Sequence, residues 1–332
     1  MHGLKRVFLV GALACSGLAS ATPIKIATVA PDGTAWMREM RTAADAIKKG
    51  TDGRVEIKYY PGGVMGDAST VLRKIKIGQL QGGAFTGGEA TVITPDAQVY
   101  SLPFLYRGED EVGKVRAKLD PLVKQSFDAA GYDLVGIAGG GFAYLFSTRD
   151  IKTRDGLKAA KVWVPQGDKA AEVTFKVAGV TPIPLPLSDV YTSLQTGLID
   201  TAASTPSGAI AFQWHTKVKH MVDLPLSYVV GEVVVDKKAT DALSATDRKV
   251  FDDAFAAGFA RLEKTNIQDN ASAREALKQQ GITFTEPSDA ERRNWEAVGT
   301  EAFKELSARG GITPAMLKAL NETLAEIRGN AK

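Results

Sequence analysis

Apolar and polar residues alternate near the start of the chain in two short segments, 24–29 and 55–59, as is typical of half-buried strands. Between these segments apolar residues recur every three or four positions, which predicts a helix whose buried face carries Trp36, Met40, Ala43 and Ile47. The order strand, helix, strand predicts a right-handed βαβ unit. A second helical pattern leads to the apolar run 80–85, so we expect this half to form an open parallel sheet.

The same two periodicities return in the second half of the chain. Segment 161–164 is predicted to be a strand, and 169–178 a helix. Ser188 is a suitable N-cap for a helix that ends before Gly197, and 198–203 then has the pattern of a strand. Two α/β lobes in one chain predict a ligand cleft between them.

The last third of the chain is predicted to be helical. Residues 247–280 fit one long or broken helix with an apolar side at Val250, Phe251, Phe255, Phe259 and Leu262. We interpret its charged face as a solvated surface. The helical segment 289–327 is expected to pack over one lobe.

The first 21 residues contain the three parts of an export signal in order. Lys5 and Arg6 form a basic start, 7–18 is apolar but too short to span a bilayer, and the Ala-Ser-Ala run at 19–21 is a cleavage site. We expect the mature protein to begin near Thr22 and to be soluble in the periplasm, because no second long apolar run follows. That compartment has no pool of ATP or NAD.

Charge and cysteine content narrow the possible partners and chemistry. The 332-residue chain carries 41 basic and 38 acidic residues, and loss of Lys5 and Arg6 with the signal leaves a net charge of +1. This balance does not favour nucleic acid or an anionic membrane as a partner. The only cysteine is Cys15, inside the signal, so the mature protein is predicted to have no disulfide, thiol nucleophile or cysteine metal site.

Signatures of catalysis and of cofactor binding do not occur in the sequence. The glycine run 139–141 lacks the third glycine of a dinucleotide motif, since position 144 is Tyr144, and it is better explained as a turn or hinge. His215 and His220 are five residues apart and do not share a helix face as zinc ligands would. No GxSxG elbow is present. We therefore predict neither an enzyme nor a cofactor.

Five ordered segments of the chain carry a recognisable family pattern. They are TDGRVEIKYYPGGVMGD at 51–67, LRKIKIGQL at 72–80, SLPFLYRGEDEV at 101–112, IKTRDGLKAAKVWVP at 151–165 and PIPLPLSDVYTSLQTGLIDT at 182–201. The set resembles the substrate-binding subunits of TRAP (tripartite ATP-independent periplasmic) transporters. The similarity runs from about Lys25 to Leu277, and the last segment is the most specific.

The resemblance implies a fold and a task. The fold is α/β, a two-lobed periplasmic binding protein with hinge strands and a long interlobe helix. The implied lobes are 22–140 plus about 229–268, and 141–228 plus about 269–332, after the signal peptide at 1–21. The lobes close on a small-molecule ligand and deliver it to the small and large permease proteins of the membrane.

Three positions depart from the pattern of family members that bind organic acids. Those members carry an arginine where this chain has Trp163, and many have a second arginine at the position of Ala143 and an asparagine at that of Ser204. A guanidinium binds a carboxylate through two hydrogen bonds, whereas an indole offers one N–H and an apolar face. The chain is similar in this respect to a TRAP subgroup that works with a tetratricopeptide-repeat partner. We expect an organic acid with apolar character or a neutral ligand, not a simple dicarboxylate.

Other candidate ligand residues follow predicted strands or flank the lobe crossing, because strand carboxyl ends face the crevice in such folds. Strand alternation puts Trp163 on the face opposite Val162 and Val164, the face that the family turns toward ligand. Trp163, Trp36 and Trp214 also fit simple packing roles. With Ala143 and Ser204, the predicted set is Trp163, Phe142, Tyr144, Gln166, Thr205, Gln213, Trp214, Asp32, Trp36, Gly87 and Glu89.

Four alternatives stay open at this point. A four-carbon dicarboxylate would bind if another cation, such as Arg149 or Arg73, replaced the missing arginine. An ABC-type binding protein shares the general architecture. An exported hydrolase would need a catalytic constellation that the sequence does not display, and a sensory receptor would use the same closing lobes.

Overall fold

The computed structural model describes residues 23–329. The predicted export signal and Cys15 lie outside the described residues. Within them, every helix is too short or too polar to cross a bilayer.

Nine strands and eleven α-helices occur in residues 23–329, with four short 3-10 helices at Glu89–Val92, Pro95–Ser101, Leu187–Asp189 and Trp214–Thr216. The strands are β1 Ile24–Ala27, β2 Ile57–Tyr60, β3 Gly82–Thr86, β4 Tyr132–Ser147, β5 Trp163–Pro165, β6 Ile183–Leu185, β7 Thr201–Ser204, β8 His220–Asp236 and β9 Thr283–Thr285. The helices are α1 Ala35–Gly50, α2 Ala68–Lys76, α3 Glu109–Ala129, α4 Arg154–Leu157, α5 Lys169–Val177, α6 Val190–Thr196, α7 Pro206–Ala211, α8 Lys237–Asp241, α9 Ala245–Gln279, α10 Asp289–Ala308 and α11 Pro314–Gly329.

The predicted βαβ unit is confirmed, but the sheet that contains it is mixed. Strand β1 pairs in parallel with both β2 and β3. The next strand, β8, runs antiparallel to β3, and β4 runs antiparallel to β8. The three strands of the first half are parallel, as expected. The sheet as a whole is mixed, because β8 returns from later in the chain and pairs antiparallel with β3.

The two longest strands, β4 and β8, run through both halves of the molecule. Their amino- and carboxyl-terminal halves contribute to different lobes: β8 pairs with β3 in the first lobe, and β4 pairs with β7 in the second. The smaller pair, β5 and β6, joins the second lobe through a bridge between Val162 and Thr201. These two long strands are the hinge strands that the sequence resemblance implied.

Helix α9 is continuous and confirms the predicted long helix. Ser244 begins it, and the Ser244 side chain accepts a hydrogen bond from the backbone N–H of Asp247 at 3.1 Å. Its first half packs on α1 through Phe251 and Phe255, and its second half contacts α7 and buries Leu277 in the second lobe. One rigid helix thus contacts both lobes.

Of the two residues predicted to bound α6, Gly197 is confirmed and Ser188 is not. Gly197 follows α6 in the left-handed conformation with φ of 73°, as the sequence predicts. Ser188 is not the N-cap, because a short 3-10 helix precedes α6 and its last residue, Asp189, takes that position. The Ser188 hydroxyl donates to the Asp189 carboxylate instead.

The two carboxyl-terminal helices, α10 and α11, pack on different lobes. Helix α10 packs on α5 and places Trp295 in the core of the second lobe. Helix α11 packs on α3 and places Leu320 and Leu324 in the core of the first lobe. The expectation that the helical end covers one lobe is therefore corrected, and we propose that the second-lobe segment 269–332 stops before α11.

The glycine run 139–141 lies inside β4 at an irregularity of the β4–β8 ladder, and Gly141 has φ of 97°. Such a bulge leaves backbone groups without ladder partners. Helix α9 supplies these partners. Glu263 accepts from the Gly139 N–H at 2.8 Å, Asn266 donates to the Gly139 carbonyl at 2.8 Å, and Asn270 donates to the Gly140 carbonyl at 2.7 Å.

The hinge strand β8 contains a buried glutamate, Glu232. Glu232 lies on β8 between β3 and β4 and is fully buried, and neither carboxylate oxygen has a hydrogen-bond partner among the described residues. Burial raises the pKa of Glu232 well above its ordinary value, the nearby Asp120 raises it further, and Arg116 lowers it. Folding therefore favours the protonated form of Glu232.

Glu232→Gln should remove a pH-dependent loss of stability. The unfolded chain releases the Glu232 proton near pH ~4.3, but the folded chain retains it, so wild-type stability falls relative to the variant by about 1.4 kcal/mol per pH unit as the pH rises between the two pKa values. Denaturant unfolding from pH 4 to 8 measures this difference. Glu296→Gln, at an exposed position on α10, is the control. A wild type that gains stability over Glu232→Gln with rising pH would contradict the assignment.

Candidate functional site

Two connected cavities lie between the lobes. The outer cavity has a volume of about 690 Å³, and the inner cavity has a volume of about 180 Å³. They share wall residues from both lobes, which are Thr86, Leu187, Thr205, Gly208, Phe212 and Val229. We name the pair the interlobe cleft.

The carboxyl ends of four strands form the walls of the interlobe cleft. The segment after β1 and the end of β3 contribute from the first lobe, and the ends of β5 and β7 contribute from the second. The hinge strands β4 and β8 also line it, and α9 lines the outer cavity. This placement is the crevice position that ligands occupy in open α/β sheets.

Seven of the thirteen predicted site residues line the cleft. Asp32 and Trp36 line the outer cavity, and Thr205 lines both cavities. The inner cavity is lined by the other four, which are Ala143, Trp163, Ser204 and Trp214. Their contact with a ligand stays a prediction.

Trp163 both packs and lines the inner cavity. Val162 and Val164 point into one core cluster and Trp163 into another, as the strand alternation predicts. The Trp163 ring meets the Trp214 ring edge-on, with centroids 5.3 Å apart. Its indole N–H donates to the Leu185 carbonyl at 3.0 Å, so this donor is already used within the protein. Trp163 therefore offers a ligand its apolar surface.

Six predicted residues lie outside both cavities, each for a local reason. Phe142 packs against Tyr228, and Tyr144 lies beneath the Arg274 guanidinium. Gln166 and Gln213 are exposed to solvent. Gly87 lies in the turn after β3, and Glu89 begins the 3-10 helix that follows this turn.

Glu89 organises that turn from inside the protein. Its carboxylate accepts hydrogen bonds from the backbone N–H and the hydroxyl of Thr86, both at 3.0 Å. Burial raises the pKa of Glu89, and the two hydrogen bonds from Thr86 oppose that rise. Glu89 thus holds Thr86, which lines both cavities, without reaching the cleft itself.

Helix α9 also lines the interlobe cleft, which the sequence pattern does not predict. Asn266, Asp269 and Ser272 line the outer cavity from the face that was interpreted as a solvated surface. A signal was present, because asparagine is a weak helix former and two occur in the middle of this helix, at 266 and 270. Asn270 accepts hydrogen bonds from the backbone N–H and the hydroxyl of Ser207, which also lines the outer cavity.

Charged groups are unevenly distributed in the interlobe cleft. Arg38 is the one cation among the described lining residues of the two cavities, and it donates to the Gly33 carbonyl at 2.6 Å. Asp32 and Asp269 line the outer cavity, and Asp32 pairs with Arg41 at 2.5 Å. The inner cavity contains a buried carboxyl, Asp168.

The lobes touch at the inner cavity. Gly88 follows β3 in the first lobe, and Asp168 follows β5 in the second. The approach is so close that a Cβ atom at position 88 would lie 2.1 Å from Asp168 Oδ2. We infer that this contact belongs to the closed arrangement of the lobes.

The family profile described as bacterial extracellular solute-binding protein, family 7 (DctP), matches residues 26–309. The chain belongs to this family of TRAP solute-binding proteins, which confirms the resemblance found in the sequence.

Individual relatives agree with the family over most of the chain. The C4-dicarboxylate-binding periplasmic protein DctP of Rhodobacter capsulatus is 27% identical over 94% of this chain and 96% of its own length. A TRAP solute-binding protein of Desulfovibrio salexigens, solved with orotic acid, matches with a TM-score of 0.85, 20% identity and coverage of 92% and 99% of the two chains. The pyroglutamic-acid-binding DctP7 of Bordetella pertussis matches with a TM-score of 0.83, 21% identity and coverage of 91% and 100%. These structures show the same fold.

Gly88→Ala should shift the protein away from the closed arrangement. The backbone at Gly88 has φ of −65° and accepts alanine, so the only obstacle is the contact with Asp168. Overpacking costs about 1–3 kcal/mol, which corresponds to a roughly 5- to 150-fold loss of the closed population. Small-angle scattering should show a larger radius of gyration.

Gly113→Ala is the matched control for this prediction. Gly113 is exposed on α3, and a Cβ there has no atom within 4 Å. Scattering curves that do not differ between Gly88→Ala and Gly113→Ala would show that the contact does not limit closure.

Proposed function

We propose that the chain is a periplasmic receptor that captures a small organic ligand in the interlobe cleft and delivers it to a TRAP-type membrane permease. The observation that carries the proposal is the cleft itself, which lies between two lobes at the ends of four strands and is crossed by two hinge strands. Closure around a ligand and reopening at the membrane need this arrangement. No step of this function requires catalysis.

The relatives support a small organic acid as the general ligand class. The Rhodobacter capsulatus relative is named for C4-dicarboxylates, and the structures similar in fold contain orotic acid, pyroglutamic acid and, in a Shewanella oneidensis protein, succinate. We propose that this chain takes an acid with apolar character or a neutral molecule. The apolar surface of Trp163 and the packed Trp214 support this choice.

The alternative of a relocated arginine is not supported by the geometry. Arg149 donates to the Ala159 carbonyl and lies 3.8 Å from the Asp200 carboxylate, outside both cavities. Arg73 is exposed on α2 and also lies outside them. Neither side chain is placed to bind a carboxylate in the inner cavity.

The location and the further partners follow from the same proposal. Residues 1–21 have the sequence of an export signal, and the family is extracellular by description. The two membrane permease proteins are the proposed partners, and a tetratricopeptide-repeat protein is a further candidate because of the changes at Trp163, Ala143 and Ser204.

Native mass spectrometry of mature protein, purified without denaturant, tests the receptor function. We expect one small molecule per chain, with lower occupancy in Gly88→Ala than in the control Gly113→Ala, because a closed cleft slows ligand loss. Conversion of the captured molecule into a product by the protein would contradict the proposal and favour an exported enzyme. Protein free of any small molecule after exposure to a metabolite extract would also contradict it.

Simple dicarboxylates should bind weakly. A hydrogen bond to a charged group contributes about 1.5–3 kcal/mol, and the described residues that line the inner cavity include no guanidinium to make two of them. Titration calorimetry with succinate, malate and fumarate should therefore give no submicromolar binding. Submicromolar binding of succinate would show that another cation has replaced the arginine and would overturn the proposed ligand class.

A further inference from the structure

Asp168 occupies a position in the interlobe cleft that the receptor function does not explain. It follows Gly167 at the carboxyl end of β5 and begins α5, where its Oδ1 accepts a hydrogen bond from the Ala171 backbone N–H at 2.9 Å. A serine, asparagine or threonine would serve equally as a helix cap. The side chain is nevertheless a buried carboxyl that lines the inner cavity.

Asp168 is the one ionisable side chain among the described residues that line the inner cavity. Several potential donors of this cavity are already used within the protein. The Trp163 N–H donates to Leu185, the Thr174 hydroxyl donates to Ala170, and the Thr86 hydroxyl donates to Glu89. A carboxylate ligand placed here would face Asp168, and the described lining residues of this cavity include no cation to compensate.

The distribution of charged residues in the interlobe cleft also favours one orientation of a bound ligand. Arg38, the one lining cation, is in the outer cavity, whereas Asp168 is in the inner cavity. Burial raises the pKa of Asp168 to about 6, as expected for a carboxyl group that is poorly solvated. A buried carboxylate is stabilised when an N–H or O–H group donates a hydrogen bond to it.

We propose that Asp168 selects ligands that present an N–H or O–H donor to the inner cavity, with any ligand carboxylate directed toward the outer cavity. The donor belongs to an amino, amide or hydroxyl group next to an apolar or aromatic body, since Trp163, Trp214, Phe175 and Phe212 supply the surrounding walls. Asp168 is thus a specificity-determining residue. This inference rests on the proposed receptor function. It adds the chemical class of the ligand group that enters the inner cavity.

Three ring compounds of matched size test the selection, namely benzylamine, benzamide and benzoate. The first two carry N–H donors, and the third carries only a carboxylate. Ligand-observed NMR titrations on wild-type protein should show benzylamine and benzamide binding at least about tenfold more tightly than benzoate, because a charged acceptor favours a donor and repels an anion. Equal or tighter binding of benzoate, or no binding of the two donor probes, would overturn the proposal.

Variants at position 168 separate recognition from folding. Asp168→Asn and Asp168→Ser both keep a residue that can cap α5 and remove the negative charge, so the preference for benzylamine over benzoate should fall about tenfold in each. Asp289→Asn, at an exposed position on α10 outside both cavities, is the control and should keep the wild-type preference. An unchanged preference in both position-168 variants would show that Asp168 serves only as a helix cap.

The identity of the molecule captured in native mass spectrometry tests the role of Asp168 separately from the receptor function. A captured molecule whose only polar groups are carboxylates would overturn the role of Asp168 and leave the receptor function intact. A failure to capture any molecule would contradict the receptor function itself, whatever the ring compounds do.

Discussion

The support that α9 gives to the glycine bulge of β4 is the interaction on which the two-lobed arrangement depends. The bulge at 139–141 removes backbone groups from the β4–β8 ladder, and Glu263, Asn266 and Asn270 replace the missing partners. Buried backbone groups need such partners, since each unsatisfied one costs free energy. Because α9 packs on both lobes, the same helix that satisfies the hinge also sets how the lobes face each other.

One of the α9 residues that bind the bulge also binds a residue that lines the interlobe cleft. Asn270 binds the Gly140 carbonyl through its amide N–H and accepts from Ser207 through its carbonyl oxygen. Ser207 lies in the first turn of α7 and lines the outer cavity. A movement of α7 during opening would therefore act directly on the helix that holds the hinge. Gly88 and Asp168 bring the two lobes into contact at the inner cavity.

Much of the fold could be predicted because its signals are local. The βαβ unit, the long helix α9 and the left-handed Gly197 follow from periodicity and from the conformational freedom of glycine. The strand direction in the sheet could not be predicted in this way. It depends on β8, which pairs with strands far away in sequence, and periodicity carries no information about such pairing.

The sequence by itself determined the family, the two-lobed class and the face of β5 on which Trp163 lies, because motif order and strand alternation are properties of the chain alone. Only the tertiary structure decided what the cleft offers a ligand. It paired the Trp163 N–H with Leu185 and brought the polar face of α9 to the outer cavity. It also made Asp168 the one ionisable residue among the described residues that line the inner cavity. Each of these depends on contacts between distant segments, and a side chain's chemistry is set by the partners that folding gives it.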